Sequence, residues 1–385
     1  MSDDATGSAT AEQGLAGASS GVAQFEEVAP GALRRVQQFF HQYPTTIPAI
    51  ILVVSVIAFA FVTKGKFFGA LNLSLILSQV TIIGVLATAQ TLVIITAGID
   101  LSVGAIMVLS AIVMGKVAVS SGMVAALAAG PVFGAFASIG VDPMLASGIF
   151  AGILGLACGI VTGFLCGLAN GWLITALRLP PFIVTLGTWS IIGALVILVS
   201  GSATIRSNEI AAAAPLLQLL GTRIPIGGGA FLMAGSIIML ALAALVWYML
   251  SRTAFGRHVY AIGDDANAAR LAGIQVNRTL VLVYVLTGVI CGIAGWVLIG
   301  RVGAVSPLGN QTANLDAITA VVIGGTSLFG GRGSIIGTIL GALIVGVFDS
   351  GLSLTGVDPL WRQLTVGALI IVAVSIDQWI RRVSS

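Results

Sequence analysis

Charged side chains are scarce in this chain, since Asp, Glu, Lys and Arg together make up 8% of its 385 residues. Hydrophobic residues make up 57%, and the mean hydropathy is +1.09. These values lie outside the range of soluble globular domains and exclude that class. A net charge of +3 would suggest nucleic-acid binding in a soluble protein. Here the basic residues collect in loops between apolar runs, as in membrane proteins, so the composition indicates a membrane protein and no nucleic-acid function.

Histidine and cysteine are also rare, with two and three copies. Cys158, Cys166 and Cys291 all fall inside apolar runs without paired metal-ligand spacing, so we interpret them as small core residues. The sequence contains no G-x-x-x-x-G-K-[ST] phosphate loop and no H-E-x-x-H zinc motif, and its one G-x-S-x-G match, at 17–21, lies in the polar N-terminal stretch rather than between a strand and a helix. We therefore predict that the chain is not an enzyme, binds no metal or cofactor, and hydrolyses no nucleotide itself.

Acidic residues are absent from the middle of every apolar run. Carriers coupled to a proton or sodium gradient usually place ionisable residues at that depth, so gradient coupling lacks its usual residues. The runs instead contain neutral hydrogen-bonding groups that suit an uncharged polyhydroxy substrate, although most membrane Ser and Thr residues only bond back to their own helix. The candidate pathway residues are Gln90, Thr91, Asn170, Thr185 and Thr188.

Apolar windows long enough to cross a hydrocarbon core of about 30 Å recur along the chain. There are about ten, the eighth being short, at 47–63, 74–97, 102–119, 147–176, 182–200, 230–250, 279–300, 316–329, 334–352 and 363–380. The sequence therefore predicts an all-α polytopic membrane protein with a transmembrane domain over 47–380. An eleventh apolar stretch at 122–139 would reverse the orientation of the polar loop at 252–278. We interpret that stretch as an interfacial or re-entrant insertion.

Both ends of the chain are predicted to be cytoplasmic. Residues 1–30 carry five acidic residues but no Lys, no Arg and no apolar run. We therefore predict that 1–46 form a disordered acidic tail and a cytoplasmic lead-in rather than a cleaved signal peptide. Residues 381–385 form a cytoplasmic C-terminus. This orientation places most basic residues on the cytoplasmic side, in the direction that membrane proteins favour.

Glycine is abundant, with 50 residues, and it recurs at every fourth position of one predicted span. The series consists of Gly155, Gly159, Gly163, Gly167 and Gly171. Small residues in such a register let a neighbouring helix approach closely. Gly288 and Gly292 repeat the spacing in another span. We therefore predict close helix packing along these faces.

The polar loop at 252–278 lies between two apolar runs and contains four arginines and two aspartates. At its centre we predict a helix of about eight residues, with Asp264 capping the amide end, Asp265 in the first turn and Arg270 in the last. Gly273 suits the left-handed stop. One face of the helix would carry small and apolar side chains, from Ala268, Leu271 and Ala272. Such a face indicates docking to another protein, and the alternative is a solvated loop with a chance helical turn.

Four motifs over about 47–380 together resemble the permease subunit of bacterial ABC sugar importers, in the branch that handles ribose, xylose, fructose and similar monosaccharides. They are Ile99-Asp-Leu-Ser-Val-Gly104, Leu179-Pro-Pro-Phe-Ile-Val-Thr-Leu-Gly187, the polar segment 255–274, and 315–337 with its Ile-Gly-Gly-Thr-Ser-Leu-Phe-Gly-Gly core. In the wider importer group the polar segment reads Glu-Ala-Ala, three residues, Gly. This chain has Asn267-Ala268-Ala269 before Gly273, so the glutamate is replaced.

The resemblance implies the ABC importer permease fold and ATP-driven movement of a neutral monosaccharide, such as fructose, xylose or ribose, into the cytoplasm by alternating access. The implied partners are a second copy of the chain, membrane lipid, a cytoplasmic ATPase that binds ATP and Mg, and an extracytoplasmic sugar-binding protein. The implied location is the inner membrane, with multiple spans. The alternative is a gradient-driven carrier or facilitator of a neutral solute, which needs no ATPase.

The resemblance also assigns a role to the loop at 252–278, which matches the segment that couples the permease to the ATPase. The candidate coupling residues are Asp264, Asp265, Asn267, Ala268, Ala269, Arg270, Leu271 and Gly273. Asp100 follows a span on the predicted cytoplasmic side. Three roles stay open for this residue, which are a cap of the next helix, a contact with the ATPase, and an inner gate.

Overall fold

The computed structural model describes residues 45–120, 126, 129–131, 142–310 and 312–358, together with scattered positions between 360 and 375. The helices in these ranges are α1 Thr46–Val62, α2 Ala70–Ile95, α3 Val103–Val119, α4 Pro143–Ala176, α5 Pro181–Ser200, α6 Ser207–Ala213, α7 Ala234–Arg252, α8 Ala254–Asp264, α9 Ala266–Leu271, α10 Val276–Val302, α11 Ala313–Ile323 and α12 Ile335–Leu354. Two 3-10 helices cover Lys66–Phe68 and Pro215–Gly221. The predictions for the tail at 1–46, the insertion at 122–139, the span at 363–380 and the end at 381–385 lie wholly or mostly outside the described residues.

Six of these helices are long and apolar enough to cross a membrane, namely α2, α4, α5, α7, α10 and α12. Three shorter apolar helices, α1, α3 and α11, accompany them. The prediction of a mainly helical, multi-span membrane protein is confirmed, although six helices rather than about ten have the length of a full span in the described residues. Each predicted window before 355 has a helix in its place, with ends that differ by a few residues.

A two-stranded hairpin, which was not predicted from the sequence, follows the second 3-10 helix. Strand β1 Arg223–Gly227 pairs antiparallel with β2 Ala230–Met233. Three glycines at 227–229 all have positive φ, which lets the chain reverse between the strands. The amide of Phe231 donates to the Ser74 hydroxyl of α2 at 2.8 Å. The predicted start of the sixth span at 230 is therefore wrong, because 230–233 are held as a strand and the helix begins at Ala234.

The glycine series on α4 packs against two neighbouring helices. A Cβ atom at Gly163 would overlap the carbonyl oxygen of Gly288 on α10, and one at Gly167 would overlap that of Tyr284. Further along α4, a Cβ atom at Gly159 would overlap the side chain of Met114 on α3. The predicted close packing is confirmed, because these helices meet backbone to backbone.

The spanning helices differ in how deeply they lie inside the protein. The apolar stretch of α10 is 67% buried, whereas that of α5 is 22% buried. Helix α10 packs against α2, α3 and α4 and forms the centre of the core. Helix α5 leaves most of its apolar surface open, which suits contact with lipid or with another membrane protein.

Helix α11 is too short to cross the membrane alone. Its 11 residues span about 16 Å at ~1.5 Å per residue, roughly half of a ~30 Å hydrocarbon core. The chain before it is irregular, although the backbone of Val305 pairs with that of Ile205 in an antiparallel bridge. The eighth window predicted at 316–329 therefore contains a short helix but not a full span, because the helix begins at Ala313 and ends at Ile323.

Candidate functional site

The turn at 96–102 joins α2 to α3 and carries the first of the four motifs. Asp100 is buried there, with 1% of its surface exposed. Its Oδ1 atom accepts hydrogen bonds from the Ser102 amide at 2.7 Å and from the Ser102 hydroxyl at 2.6 Å. These bonds close a local turn immediately before α3 begins. Asp100 therefore binds the residue that precedes α3, and not the first amides of the helix as a helix cap would. Its roles as a gate or an ATPase contact stay predictions.

Two side chains from α2 and α4 bind this turn. With its amide oriented to satisfy both atoms, Gln90 donates to the Asp100 carbonyl oxygen at 3.2 Å and accepts from the Asp100 amide at 3.1 Å. Asn170 Nδ2 donates to the Ser102 hydroxyl at 2.9 Å. Since Ser102 donates in turn to Asp100, the three residues Asn170, Ser102 and Asp100 form a continuous buried chain of hydrogen bonds.

Two further helices bind carbonyl oxygens of the same turn. The Thr185 hydroxyl of α5 lies 3.0 Å from the Ile99 carbonyl oxygen and 2.9 Å from that of Pro181, so its single proton is shared between them. Asn314 Nδ2 of α11 donates to the Leu101 carbonyl oxygen at 3.1 Å. We call Gln90, Asp100, Ser102, Asn170, Thr185 and Asn314 the polar cluster, which joins α2, α4, α5 and α11 to one turn.

The structure brings together three of the five predicted pathway residues. Gln90, Asn170 and Thr185 all belong to the polar cluster. Thr91 instead bonds the Thr338 hydroxyl of α12 at 2.7 Å, and Thr188 bonds the carbonyl oxygen of Thr185 at 3.3 Å. A role in binding substrate stays a prediction for all five.

Two members of the polar cluster, Ser102 and Asn314, were not predicted from the sequence. Ser102 lies within the Ile99-Asp-Leu-Ser motif, but its hydroxyl was given no role. Asn314 is the residue directly before the 315–337 motif. An amide placed at the start of a short apolar run was the available signal, since a buried amide needs several partners.

Removal of the Asn170 amide tests whether the polar cluster stabilises the fold. We expect Asn170→Leu to lower the free energy of unfolding by about 1–3 kcal/mol, because a buried Ser102 hydroxyl loses its donor. The measurement is the thermal midpoint of the purified protein in detergent. Thr188→Val is the control, since the Thr188 hydroxyl bonds a carbonyl of its own helix. A variant with an unchanged midpoint but lost uptake would instead assign Asn170 to substrate binding.

Within the loop at 252–278, residues 253–274 form two helices rather than the single helix predicted. We call these residues the 253–274 segment. Thr253 caps α8 by accepting from the Gly256 amide at 3.3 Å. Asp265 caps α9, because its Oδ1 accepts from the amides of Asn267 at 2.7 Å and Ala268 at 3.0 Å. The predicted cap at Asp264 is therefore wrong, since Asp264 is the last residue of α8.

The end of α9 follows the prediction. Gly273 has a φ of 86°, which confirms the left-handed stop. Leu271 is 91% exposed, and Ala268 and Ala272 are exposed beside it. Ala269, in contrast, is buried against Ile262 and Val276. The exposed face is thus the predicted one, and Ala269 holds α9 against the rest of the segment.

The 253–274 segment also contacts the end of α2. A Cβ atom at Gly263 would overlap the Ile95 carbonyl oxygen and would lie 2.5 Å from the Gly331 amide nitrogen. That amide donates to the Ile95 carbonyl oxygen at 2.9 Å. The Tyr260 hydroxyl donates to the Gly333 carbonyl oxygen at 2.8 Å, and burial raises the pKa of Tyr260, which keeps the phenol protonated as a donor. Backbone contacts therefore link this segment to the residue directly before the 96–102 turn.

Comparison with known proteins places the chain in a family. A family model described as "Branched-chain amino acid transport system / permease component" matches residues 72–374. The chain belongs to this family. The resemblance to ABC importer permeases, predicted from four motifs, is confirmed for this permease. No solved structure gives a significant match.

Several relatives of this permease are similar over most of their length. A fructose import permease protein of Rhizobium meliloti is 50% identical over 374 residues, which cover 97% of this chain and 96% of the relative. A ribose import permease protein of Bacillus subtilis is 35% identical, with 86% and 89% covered. A xylose transport system permease protein of Escherichia coli K12 is 32% identical, with 87% and 93% covered.

Proposed function

We propose that this chain is the membrane-spanning subunit of an ATP-driven importer that moves a neutral monosaccharide into the cytoplasm by alternating access. The 50% identity to a fructose import permease, over nearly the whole of both chains, carries this proposal. Fructose is therefore the first substrate to test, followed by ribose and xylose. None of the predicted pathway residues Gln90, Thr91, Asn170, Thr185 and Thr188 carries a charge, which is consistent with a neutral substrate.

The energy comes from a partner in this proposal. The chain carries no phosphate-loop motif, so we assign ATP and Mg binding to a separate cytoplasmic ATPase and no enzymatic activity to the permease. The exposed face of α9, formed by Ala268, Leu271 and Ala272, is the proposed docking surface. Its small side chains allow close approach of another backbone. The candidate coupling residues Asp264, Asn267 and Arg270 are exposed around it.

We further propose a homodimer in the inner membrane that receives sugar from an extracytoplasmic binding protein. The largely uncovered apolar surface of α5 supports contact with lipid or with a second copy. Both termini lie in the cytoplasm, together with the 253–274 segment. The hairpin formed by β1 and β2 lies on the opposite side, since it is separated from that segment by the single span α7.

This orientation predicts the labelling of single cysteines in a background without Cys158, Cys166 and Cys291. In intact cells, Ile226→Cys on the exposed edge of β1 is expected to react with an impermeant thiol reagent. Leu271→Cys on α9 is expected to react only after the cells are opened. Both positions are well exposed, with 68% and 91% of their surfaces free. Labelling of Leu271→Cys from outside would reverse the orientation and rule out docking of α9 to a cytoplasmic ATPase.

Reconstitution tests the whole proposal. Proteoliposomes that contain the permease and its ATPase, with fructose-loaded binding protein added outside, are expected to accumulate fructose only when ATP is enclosed. Collapse of the ion gradients with ionophores is the control and should leave uptake unchanged. Uptake that needs no ATP, or that stops when the gradients collapse, would instead identify a gradient-driven carrier or a facilitator.

A further inference from the structure

A cavity of about 480 Å³ lies between α3, α5 and the irregular chain that leads into α11. Its volume falls within the range of about 300–1,000 Å³ that small-molecule sites occupy. Five of its lining residues lie on α5 and four in the loop 307–310. None of the residues that line it carries a charge. The cavity therefore suits a neutral ligand of modest size.

The lining combines an aromatic ring with hydroxyl and amide groups. Trp189 and Ser190 are neighbours on α5, while Asn310 belongs to the loop 307–310 and Asn314 to the first turn of α11. An indole presents the negative face of its π-system, which complements the C–H groups on one face of a sugar ring. The two amides and the hydroxyl supply both donors and acceptors, as sugar hydroxyl groups require. This combination distinguishes the cavity from a purely apolar surface facing lipid.

The cavity adjoins the polar cluster through Asn314, which belongs to both. Asn314 Nδ2 donates to the Leu101 carbonyl oxygen, and this bond leaves the acceptor end of the amide for a ligand. Gly104 at the start of α3 also lines the cavity, and a Cβ atom there would lie 3.2 Å from the backbone nitrogen of Asn314. A ligand in this cavity therefore lies next to the 96–102 turn. Ile95, the residue directly before that turn, contacts Gly263 of the 253–274 segment.

We propose that this cavity holds the monosaccharide during its passage, with Trp189 stacked on the C–H face of the sugar and Ser190, Asn310 and Asn314 bound to its hydroxyl groups. The inference rests on the proposed function, because it assigns a place to the same substrate. It differs from the sequence prediction, since of these four residues none was among the predicted pathway residues. The predicted residues Asn170 and Thr185 then hold the turn that supports this site.

Gly193 on α5 provides a direct steric test. It lines the cavity, and no atom lies within 4 Å of a Cβ atom added there. The Cβ atom of Gly193→Leu therefore meets no other atom, and the rest of the leucine side chain takes up space in the cavity that Gly193 lines. We expect this variant to insert and dimerise normally, to retain ATP hydrolysis stimulated by the binding protein, and to take up fructose at least about tenfold more slowly, because the substrate position is occupied.

The matched control is Gly187→Leu on the same helix. No atom lies within 4 Å of an added Cβ atom there either, and Gly187 is not part of the cavity lining. We expect uptake by this variant to stay within twofold of the unmodified permease. Equal uptake by the Gly193→Leu variant and the control would overturn the inference. A monomeric Gly193→Leu variant in size-exclusion chromatography would also overturn it, because the cavity would then be part of the interface with the second copy.

Trp189 tests the chemistry of the site. Trp189→Ala is expected to lower the maximal rate of ATP-dependent fructose uptake, at saturating fructose-loaded binding protein, by about tenfold or more. Trp189→Phe is expected to restore most of this rate because it keeps a ring face. Trp172→Ala on α4 is the control for loss of an exposed indole, since Trp172 is also well exposed and does not line the cavity. If Trp189→Ala behaves like the control, the cavity does not hold the sugar. Uptake by the unmodified permease would still uphold the proposed function.

Discussion

Replacement of Gly288 by leucine is expected to prevent assembly of the permease. The side chain would enter the contact between α10 and α4, where a Cβ atom already overlaps the carbonyl oxygen of Gly163. Neither backbone can move aside without separating the two helices. Overpacking usually costs about 1–3 kcal/mol when side chains can adjust, and here the obstacle is backbone, so we expect a cost above that range.

The measurement is the fraction of monodisperse protein recovered after extraction in mild detergent, together with its thermal midpoint. We expect Gly288→Leu to leave little folded protein. Gly187→Leu is again the control, because it adds the same side chain to a membrane helix where no atom lies within 4 Å of the new Cβ. Recovery of Gly288→Leu with a normal midpoint would mean that α4 and α10 do not meet at these glycines.

Replacement of Gly263 by valine is expected to separate ATP hydrolysis from transport. Its side chain would displace Gly331 from the Ile95 carbonyl oxygen, and so break the contact between the 253–274 segment and the end of α2. Because the turn at 96–102 follows directly, a movement of α9 would no longer reach the polar cluster. We expect uptake in proteoliposomes to fall at least about tenfold, while the protein still inserts and still binds the ATPase.

The control for this variant is Ala254→Val, which adds a β-branched side chain to an exposed position of the same helix. It is expected to retain both ATP hydrolysis and uptake. ATPase binding, measured by co-purification, separates loss of docking from loss of transmission. Full uptake by Gly263→Val at normal expression would show that this backbone contact is not the route by which the two subunits are coupled.

Local sequence patterns sufficed for most of the fold. Hydropathy located the nine apolar helices that the structure describes before residue 355, but not the short helices α6 and α8, because a long apolar run in a membrane protein has few alternatives to a helix. The glycine series on α4 was also readable, since spacing by four places residues on one face. The hairpin at 223–233 was missed because its second strand is apolar and runs directly into α7. Its strand conformation depends on a bond from Phe231 to Ser74, far away in the sequence.

The candidate site depended more heavily on distant contacts. Asp264 and Asp265 are adjacent and chemically equal as caps, and the packing of Gly263 against Ile95 helps to keep Asp264 in α8. The selection of Gln90, Asn170 and Thr185 was possible because neutral polar residues stand out in apolar runs. Their shared partner was not foreseeable, because three of the acceptors in the polar cluster are backbone carbonyl oxygens of 99–101. Every residue has a backbone carbonyl oxygen, so the residue types do not show which of these oxygens accept the bonds.

The exposed face of α9 has a consequence for the composition of the transport system. Ala268, Leu271 and Ala272 offer shape rather than charge, and discrimination between similar partners usually needs repulsive groups as well as attractive ones. Within this face an ATPase has little means to tell one permease from a homologous one, so discrimination would depend on the exposed charges around it, at Asp264, Asp265 and Arg270. If α9 is the docking surface, a single ATPase is able to serve several permeases in the same cell that share these charges. Selection of the nutrient would then rest with the binding protein and the membrane subunit.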